Sequence, residues 1–293
     1  MSGAKIGVIG GSGLNKMRGM GEVEEVKIST PFGEPSDAII LGSLEGVRVA
    51  FLPRHGKGHR ISPSELPAKA NIYALKSLGV ERIVSVSAVG SLKEEVQPLD
   101  LVLPDQLIDC TRGRDNTFFT DGIVAHIAFA EPFCPVLSQI LFEAATKAGA
   151  KVHKGGVYLA MEGPQFSTKA ESQLYRSWGA DIIGMTAIPE AKLAREAEIC
   201  YATLAFVTDY DCWHPSYESV STEMILANLR KGVDTARKIL KLTIPLIPQK
   251  RDCACATALK DAIATETKYI SDRAKQDLAL LIGKYLSKEE NAS

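Results

Sequence analysis

The sequence predicts an α/β protein, folded as one domain around a mixed central β-sheet that is flanked by helices. Short Val- and Ile-rich runs alternate with helical patterns through the later part of the chain, which favours this class. Two early runs follow each other with no helix between them, which predicts a hairpin. The 293 residues are 45% hydrophobic and 24% charged, an ordinary composition for a chain with a packed core.

Eight short apolar runs are predicted as strands, and several of them are apolar enough to be buried on both faces. They cover residues 5–9, 38–41, 47–52, 82–86, 99–103, 157–161, 181–183 and 201–207. The second and third of these runs form the predicted hairpin, and the later ones alternate with helices. The sheet is therefore expected to be mixed.

Helical patterns fill the intervals between the later strands. Residues 64–78, 135–148 and 168–178 each end at a glycine, and a fourth pattern covers 189–198. A long amphipathic helix is predicted over 223–242, and one or two further helices over 256–286. We assign residues 1–245 to the main domain and 246–293 to a helical extension packed on it.

Charge and hydropathy exclude several classes of protein. The formal net charge is −1, so the chain lacks the basic field with which proteins bind nucleic acid. No apolar run is long enough to span a membrane, and the first residues lack a signal-peptide pattern. The composition therefore predicts a cytoplasmic protein that has neither nucleic acid nor membrane as a partner.

The six cysteines are too few and too scattered to predict a disulfide scaffold. Cys110, Cys134, Cys200 and Cys212 are expected to be reduced and structural. Cys253 and Cys255, one residue apart, leave three interpretations open: a strained bridge, a redox pair, or two unrelated thiols.

Four predicted strand ends carry groups that bind anions. The first strand runs into a glycine-rich turn with Ser12, and Arg54 and His55 follow the strand 47–52. Residues 85–91 supply the hydroxyl of Ser87 and the amide of Ala88. The strand 181–183 leads to the hydroxyl of Thr186. Because open α/β sheets bind ligands at the carboxyl ends of strands, together these groups predict a phosphate site.

A dinucleotide-binding fold is the rival interpretation of the glycine-rich turn. Lys16 stands where the third glycine of that fingerprint belongs, and the strand ending near Leu41 offers no terminal carboxylate for a ribose. The glycine spacing therefore disfavours a dinucleotide-dependent oxidoreductase.

Two carboxylates, Asp209 and Asp211, follow the last apolar run. Paired Asp residues often bind Mg²⁺ or Ca²⁺, but no third acidic or His ligand stands nearby in a recognisable loop pattern. They also suit a purine, because one can accept from the 6-amino group while the other donates a proton to N7 of a departing base. Two solvated loop carboxylates remain the third interpretation.

Nine motifs then occur in order along the chain: GVIGGSGL, TPFGEPSD, PRHG, SAVGSL, AEPFCP, EGPQFSTKAES, WGAD, GMTAIPE and TDYDCW. With them the sequence closely resembles the trimeric 5′-methylthioadenosine phosphorylases of the purine nucleoside phosphorylase superfamily, from residue 5 to residue 245. The resemblance implies the phosphorylase/hydrolase-like fold, a homotrimer, and no metal or organic cofactor. It also implies phosphorolysis of 5′-methylthioadenosine to adenine and 5-methylthioribose 1-phosphate, with inorganic phosphate as co-substrate.

The resemblance further implies a role for each matching residue. The residues implied to hold phosphate are Ser12, Arg54, His55, Ser87, Ala88 and Thr186. Those implied around the nucleoside are Met185 at the ribose, Phe166, Asp209 and Asp211 at the base, and His126, Met161, Ser167 and Thr222 around the methylthio end. His126 is implied to come from a neighbouring subunit.

The sequence differs from the family pattern at two site positions and shares a cysteine pair with some members. Gly184 stands where the family commonly has Asn, which affects the expected ribose contacts. Thr222 stands where some members have Val, so its hydroxyl weakens discrimination against adenosine. Resemblance to thermophilic members with a similar C-terminal cysteine pair also makes a disulfide between Cys253 and Cys255 conceivable.

Other functions remain as alternatives. A phosphorylase of 5′-methylthioinosine or of purine nucleosides in general is the nearest, and Asp209 argues against it because 6-oxopurine relatives typically have Asn there. A nucleoside-binding protein without turnover comes from a different class. It predicts no dependence on phosphate, and it would gain support if Arg54, His55 or the carboxylates were missing, but all of them are present.

Overall fold

The computed structural model describes residues 3–11, 14, 20–215 and 222–290. Within these ranges eleven strands form a single sheet. They are β1 Ile6–Gly10, β2 Gly21–Val26, β3 Ile39–Leu44, β4 Val47–Pro53, β5 Arg82–Ser91, β6 Leu101–Leu103, β7 Gln106–Cys110, β8 Val152–Lys154, β9 Val157–Met161, β10 Ile182–Gly184 and β11 Cys200–Asp209.

The sheet is mixed, as the sequence predicts. Strands β1, β4, β5 and β11 are parallel, whereas β2, β3 and β4 pair antiparallel and include the predicted hairpin. The strand β5 pairs with β11 along one edge; on its other edge it pairs first with β1 and then, antiparallel, with β10. The long strand β5 therefore lies at the centre of the sheet.

Helices cover the sheet. They are α1 Ala68–Ser77, α2 Pro135–Lys147, α3 Lys169–Ser177, α4 Ala187–Glu196, α5 Thr222–Thr243, α6 Asp272–Asp277 and α7 Ala279–Glu290. Helices α1 and α4 contact each other, and α2 and α5 both pack against β11. Two large apolar clusters result, and β5 contributes Ile83 to one and Val84 to the other. Successive residues of a strand point to opposite faces, so both faces of β5 are buried in core.

Three strands escape the sequence prediction, and each lacks the signal on which the prediction depends. The strand β2, of sequence GEVEEV, is exposed and acidic. The strand β7, of sequence QLIDC, lies at the end of the strand order, and β8 has three residues. None is a buried run of branched residues. The prediction of a strand start at Leu99 is also wrong, because Leu99 has φ 77° and the strand begins at Leu101.

The helix predicted over 64–78 is wrong at its start. Residues Pro63–Glu65 form a 3₁₀ turn, and α1 begins at Ala68, after Pro67. The helix predicted over 189–198 begins earlier, at Ala187, and ends at Glu196. Residues 256–286 hold short 3₁₀ turns before two helices, so less of that segment is helical than its pattern predicts.

The C-terminal segment packs on the core. Leu278 and Ile282 belong to the same apolar cluster as Ile83 of β5. The buried carboxylate of Glu198 accepts hydrogen bonds from the Leu259 amide, at 3.2 Å, and from the Tyr285 hydroxyl. None of the helices in the described ranges is long and apolar enough to cross a membrane.

Candidate active site

The two predicted carboxylates lie at the end of β11 and are both buried. Asp209 is its last residue and is 4% exposed; Asp211 is 5% exposed and has φ 52° in the turn that follows. One Asp209 oxygen accepts from the Asp211 amide at 2.8 Å, and the other accepts from the Thr208 hydroxyl at 2.7 Å. The interpretation as two solvated loop carboxylates is therefore wrong.

Burial sets the acidity of this pair. It raises the pKa of Asp209 and the pKa of Asp211 above their ordinary values, because a carboxylate loses hydration in a protein interior. A carboxyl group with a raised pKa is able to keep a proton closer to neutral pH and to donate it to a ring nitrogen. In the described ranges no third metal-ligating side chain joins the two carboxylates, which disfavours a Mg²⁺ or Ca²⁺ site.

The close approach of β5 to β11 holds Asp209 in place. Gly90 pairs with Asp209, and a Cβ atom at Gly90 would lie 2.9 Å from Asp209 Oδ1 and 3.2 Å from Ile183 Cγ2. Carbon atoms do not approach that closely without a shift. Only glycine therefore lets the two strands place this carboxylate where it is.

Arg54 follows β4 and forms a buried ion pair, not the surface salt bridge that an Arg-His pair usually makes. Its Nε and Nη2 donate to the two Glu190 oxygens at 2.5 and 3.1 Å. Nη2 also donates to the Ser85 hydroxyl at 2.6 Å, and Nη1 to the Val86 carbonyl at 2.9 Å. Burial disfavours its charge, but Glu190 outweighs that and raises the Arg54 pKa. These bonds occupy four of the five guanidinium hydrogens.

His55 is held as a neutral ring. Burial, and then the charge of Arg54, lower its pKa to about 4. Its Nδ1 lies 2.9 Å from the Ile61 carbonyl, which only accepts, so this nitrogen carries the proton. The ring stacks on His59, with 4.2 Å between centroids. Nε2 is therefore the unprotonated nitrogen of this residue.

Two predicted phosphate ligands present buried hydroxyls. Ser87 Oγ and Thr186 Oγ1 are buried, and neither has a hydrogen-bond partner among the described residues. Ser87 lies in β5, and Thr186 is the N-cap residue of α4, two residues after β10, the antiparallel neighbour of β5. Buried hydroxyls normally form hydrogen bonds, so this pair is suited to a polar ligand.

The position of Tyr158 explains why residue 184 is a glycine. A Cβ atom at residue 184 would overlap the Tyr158 hydroxyl oxygen, which is also buried and without a partner among the described residues. The tyrosine ring therefore occupies the space that a larger residue 184 would need. The next residue, Met185, packs close to Gly163.

A second group of predicted residues surrounds the end of β9. The Ser167 hydroxyl lies 3.7 Å from Met161 Sδ, and the Cys212 thiol donates to the Ser167 carbonyl at 3.2 Å. Because Cys212 follows Asp211 directly, these contacts connect the carboxylate turn to Met161 and Ser167. Phe166, beside them, is 42% exposed.

Three predicted residues are not brought into either group. His126 is exposed, and its amide donates to the Ala262 carbonyl at 2.8 Å. Ser12 lies outside the described residues. Thr222 is the first residue of α5, and its side chain lies outside what the structure describes.

Arg114 is a residue that the sequence analysis missed. It donates to the carbonyls of Met185 and Ile188, each at 2.7 Å, and to those of Met161 and Glu162. It thus joins the chain after β9 to the chain after β10. Arg114 stands in the long segment after β7, with no apolar periodicity or motif around it, so the sequence gives no signal for its role.

Comparison with known proteins identifies the family of the chain. The chain matches the model of the phosphorylase superfamily over residues 5–245. The S-methyl-5′-thioadenosine phosphorylase of Thermosynechococcus vestitus is 56% identical over 287 residues, covering 97% of this chain and 99% of that protein. The enzyme of the same name from Geobacter sulfurreducens is 55% identical over 282 residues, covering 96% and 99%.

Solved structures extend the likeness to three dimensions. A methylthioadenosine phosphorylase sourced from an Antarctic soil metagenomic library has a TM-score of 0.92 at 53% identity, covering 96% of this chain and 99% of that one. The methylthioadenosine phosphorylase of Schistosoma mansoni, solved in complex with adenine, has a TM-score of 0.80 at 37% identity, covering 96% and 98%.

Proposed function

This chain belongs to the phosphorylase superfamily, and from that premise we propose that it catalyses the phosphorolysis of S-methyl-5′-thioadenosine to adenine and 5-methylthioribose 1-phosphate. It is then a pentosyltransferase that serves purine and methionine salvage. The observation that carries the proposal is the buried carboxyl of Asp209, with its raised pKa, at the end of β11. The relatives named above carry the same activity in their names.

We propose that phosphate binds between β5 and the segment after β10. The hydroxyls of Ser87 and Thr186 donate to its oxygens there, together with the Ala88 amide and Ser12. Arg54 contributes the one guanidinium hydrogen that Glu190, Ser85 and Val86 leave over. Because neutral His55 has a bare Nε2, it accepts the proton of a hydrogen phosphate ion or takes up a proton as phosphate binds.

At the other end of the reaction the base departs. Asp209, protonated or sharing its proton, donates to N7 of adenine, and Asp211 belongs to the same polar edge. Proton donation relieves the negative charge that the base acquires as the glycosidic bond breaks. The ribosyl carbon becomes cationic, and the phosphate anion beneath it stabilises that charge and then attacks.

The remaining residues are proposed to hold the nucleoside. Met185 packs under the ribose and Phe166 beside the base, and Met161, Ser167 and Thr222 surround the methylthio group. An apolar pocket at this end leaves the 5′-hydroxyl of adenosine unpaired, which favours the methylthio substrate. The Tyr158 hydroxyl occupies the space that a side chain at residue 184 would need. We also propose that this hydroxyl makes a polar contact near Thr186, in place of the Asn that the family commonly has at residue 184.

We propose further that the enzyme is a cytoplasmic homotrimer without a metal or organic cofactor in the reaction. The exposed ring of His126 then enters the site of a neighbouring subunit, which accounts for its place outside both groups. Sedimentation equilibrium tests the assembly. A monomeric enzyme with full activity would refute the proposal that His126 contributes to a neighbouring subunit's site. Residues 246–293 are proposed as an extension on the catalytic domain.

A purine nucleoside phosphorylase that prefers 6-oxopurines is the second candidate. The experiment incubates the protein with methylthioadenosine, methylthioinosine or adenosine, with and without phosphate, and measures the release of base. Fast release from methylthioadenosine that requires phosphate supports the proposal. Preference for methylthioinosine would favour the second candidate, and no phosphate-dependent release from any of them would make the chain a binding protein.

A further inference from the structure

Four of the six cysteines meet at one point although they are far apart in the sequence. The sulfur atoms of Cys134, Cys200, Cys253 and Cys255 all lie within 4.8 Å of one another. Cys134 is the N-cap residue of α2, Cys200 is the first residue of β11, and the other two stand at the start of the 3₁₀ turn Ala254–Thr257. All four are free thiols in the structure. The expectation of scattered structural thiols is therefore incomplete.

We propose that these four cysteines bind one zinc ion as a structural Cys₄ site. Zinc holds four thiolates at about 2.3 Å in a tetrahedron, which places the sulfur atoms about 3.8 Å apart. The spacing found here requires only small side-chain movements to meet that geometry. The sulfur atoms of Cys200 and Cys253 lie 3.2 Å apart, well beyond a disulfide bond of about 2.05 Å.

The kind of ligand selects the metal. Four sulfur atoms and no oxygen form a soft site that suits zinc and does not suit magnesium or calcium. Three of the four side chains are buried, and Cys253 is half-buried. A closed, four-coordinate set of cysteines with no position left for water is the arrangement of structural zinc sites rather than catalytic ones.

Cationic groups near the cluster favour the charge that such a site carries. Four thiolates around Zn²⁺ leave two negative charges. Arg82, Lys250 and Arg251 line the same cavity as the cysteines, together with one acidic residue, Asp252, which pairs with Lys250 at 3.3 Å. Arg82 also donates to the carbonyls of Gln249 and Lys250, at 3.2 and 3.1 Å, and so fixes the chain just before Cys253. The N-cap position of Cys134 further favours a thiolate, because helix N-termini attract negative charge.

The cluster also borders a cavity. A cavity of about 60 Å³ is lined by Cys134, Cys200 and Cys253. As zinc binds, each thiol that still carries a proton releases it to solvent and forms a sulfur–zinc bond, with no change in oxidation state.

The position of the cluster predicts a role in stability. Cys200 and Asp209 are at opposite ends of β11, about 30 Å apart at the usual rise of a strand. The zinc ion is therefore remote from the carboxylates of the proposed reaction, which stays free of metal. The zinc ion joins the segment that follows α5 both to helix α2 and to the central sheet. The inference does not depend on the proposed function.

The test measures metal in the full-length protein. The chain is purified under reducing conditions, stripped with a chelator and reconstituted with zinc alone, and metal is determined per chain. The wild-type protein is expected to retain about one zinc ion. Cobalt in its place is expected to show the visible absorption of tetrahedral thiolate coordination. The Cys253→Ser/Cys255→Ser variant should lose at least nine tenths of the bound metal, and Cys110→Ser, at a cysteine outside the cluster, should keep it.

A second measurement protects the test against a variant that fails to fold. Thiols of the wild-type protein are counted with and without bound zinc under native conditions, and zinc is expected to shield the cluster and to raise the melting temperature. Wild-type protein that binds no zinc after reduction overturns the proposal. So does an intact mass that shows a disulfide among these cysteines in protein purified with zinc present.

Discussion

At the scale of single residues, the site depends on buried polar groups whose surroundings differ. Asp209 and Asp211 lose hydration and gain basicity, whereas His55 loses its charge because it is buried beside Arg54. Arg54 keeps its charge because Glu190 compensates it. The sequence predicts these residue types at strand ends, but Glu190 lies 136 positions from Arg54, and nothing in the motif that it ends indicates the pairing with Arg54. A contact of that kind becomes visible only when the strands are assembled.

The Asp209→Asn variant tests the carboxyl at the departing base. The amide keeps the size of the side chain and removes the proton that we assign to N7, so kcat/KM for methylthioadenosine is expected to fall about 100-fold or more. Methylthioinosine, whose 6-oxo group can accept from the new amide, is expected to lose far less. Steady-state kinetics on both substrates decides, and equal losses would remove Asp209 from its assigned role.

The Thr186→Val variant tests the buried hydroxyl after β10. Valine matches threonine in shape, and the lost hydrogen bond to a charged oxygen is expected to raise the KM for phosphate about tenfold. The KM for the nucleoside should change little. Thr243→Val is the matched control, because that buried hydroxyl bonds the Ile239 carbonyl within α5. An unchanged phosphate KM in Thr186→Val would contradict the proposed phosphate site.

At the scale of elements, the pairing of β5 with β11 brings the two halves of the site together. The bulge between Val207 and Asp209 moves the carboxylate into line with Gly90. The Val- and Ile-rich runs predict both strands, because buried parallel strands have that composition. The antiparallel entry of β10 beside β5 is not predictable in the same way, since a strand of three residues carries no signal of direction.

The Gly90→Ala variant tests this close approach. The added methyl group is expected to push Asp209 from its position, because it would lie 2.9 Å from the carboxylate oxygen. We expect kcat/KM to fall about tenfold or more, since a displacement of about 1 Å can cost still more than that. Gly21→Ala, with no atom within 4 Å of the added carbon, serves as the control. Full activity in Gly90→Ala would show that glycine is not required there.

The Glu196→Gln variant tests how helix α4 holds the segment that follows β7. The buried Glu196 carboxylate accepts from the Thr117 hydroxyl and the Phe118 amide, each at 2.7 Å, yet burial raises its pKa to about 7. The folded state therefore binds the proton more tightly than the unfolded state, whose ordinary value is 4.5. This stabilisation is complete below pH 4.5 and is lost as the pH rises towards 7, by about 3 kcal/mol at most.

Melting temperatures measured across that pH range check the prediction. The wild-type protein is expected to lose more stability between pH 4.5 and 7 than Glu196→Gln, which does not titrate. Glu143→Gln, an exposed change on α2, should follow the wild-type curve. Parallel curves for wild type and Glu196→Gln would show that folding does not shift the pKa of Glu196.

At the scale of the whole molecule, the chain combines a sheet whose strand ends form a polar site with a C-terminal segment fixed at the opposite end of β11. The fold class and most of the strands and helices were predictable from period and composition, whereas β2, β7 and β8 were not. The Cys₄ cluster was not, because its members stand at positions 134, 200, 253 and 255 and only the last two are close in sequence. The trimer, the metal-free reaction and the cytoplasmic location stay predictions.

The fate of the sugar tests the central claim most directly. The protein is incubated with methylthioadenosine and phosphate in isotopically labelled water, and the sugar product is analysed by mass spectrometry. The account predicts 5-methylthioribose 1-phosphate without label from water, because a phosphate oxygen forms the new bond to carbon. Free methylthioribose that carries an oxygen atom from water would show hydrolysis instead, and would contradict the proposal that the strand ends of this sheet deliver phosphate.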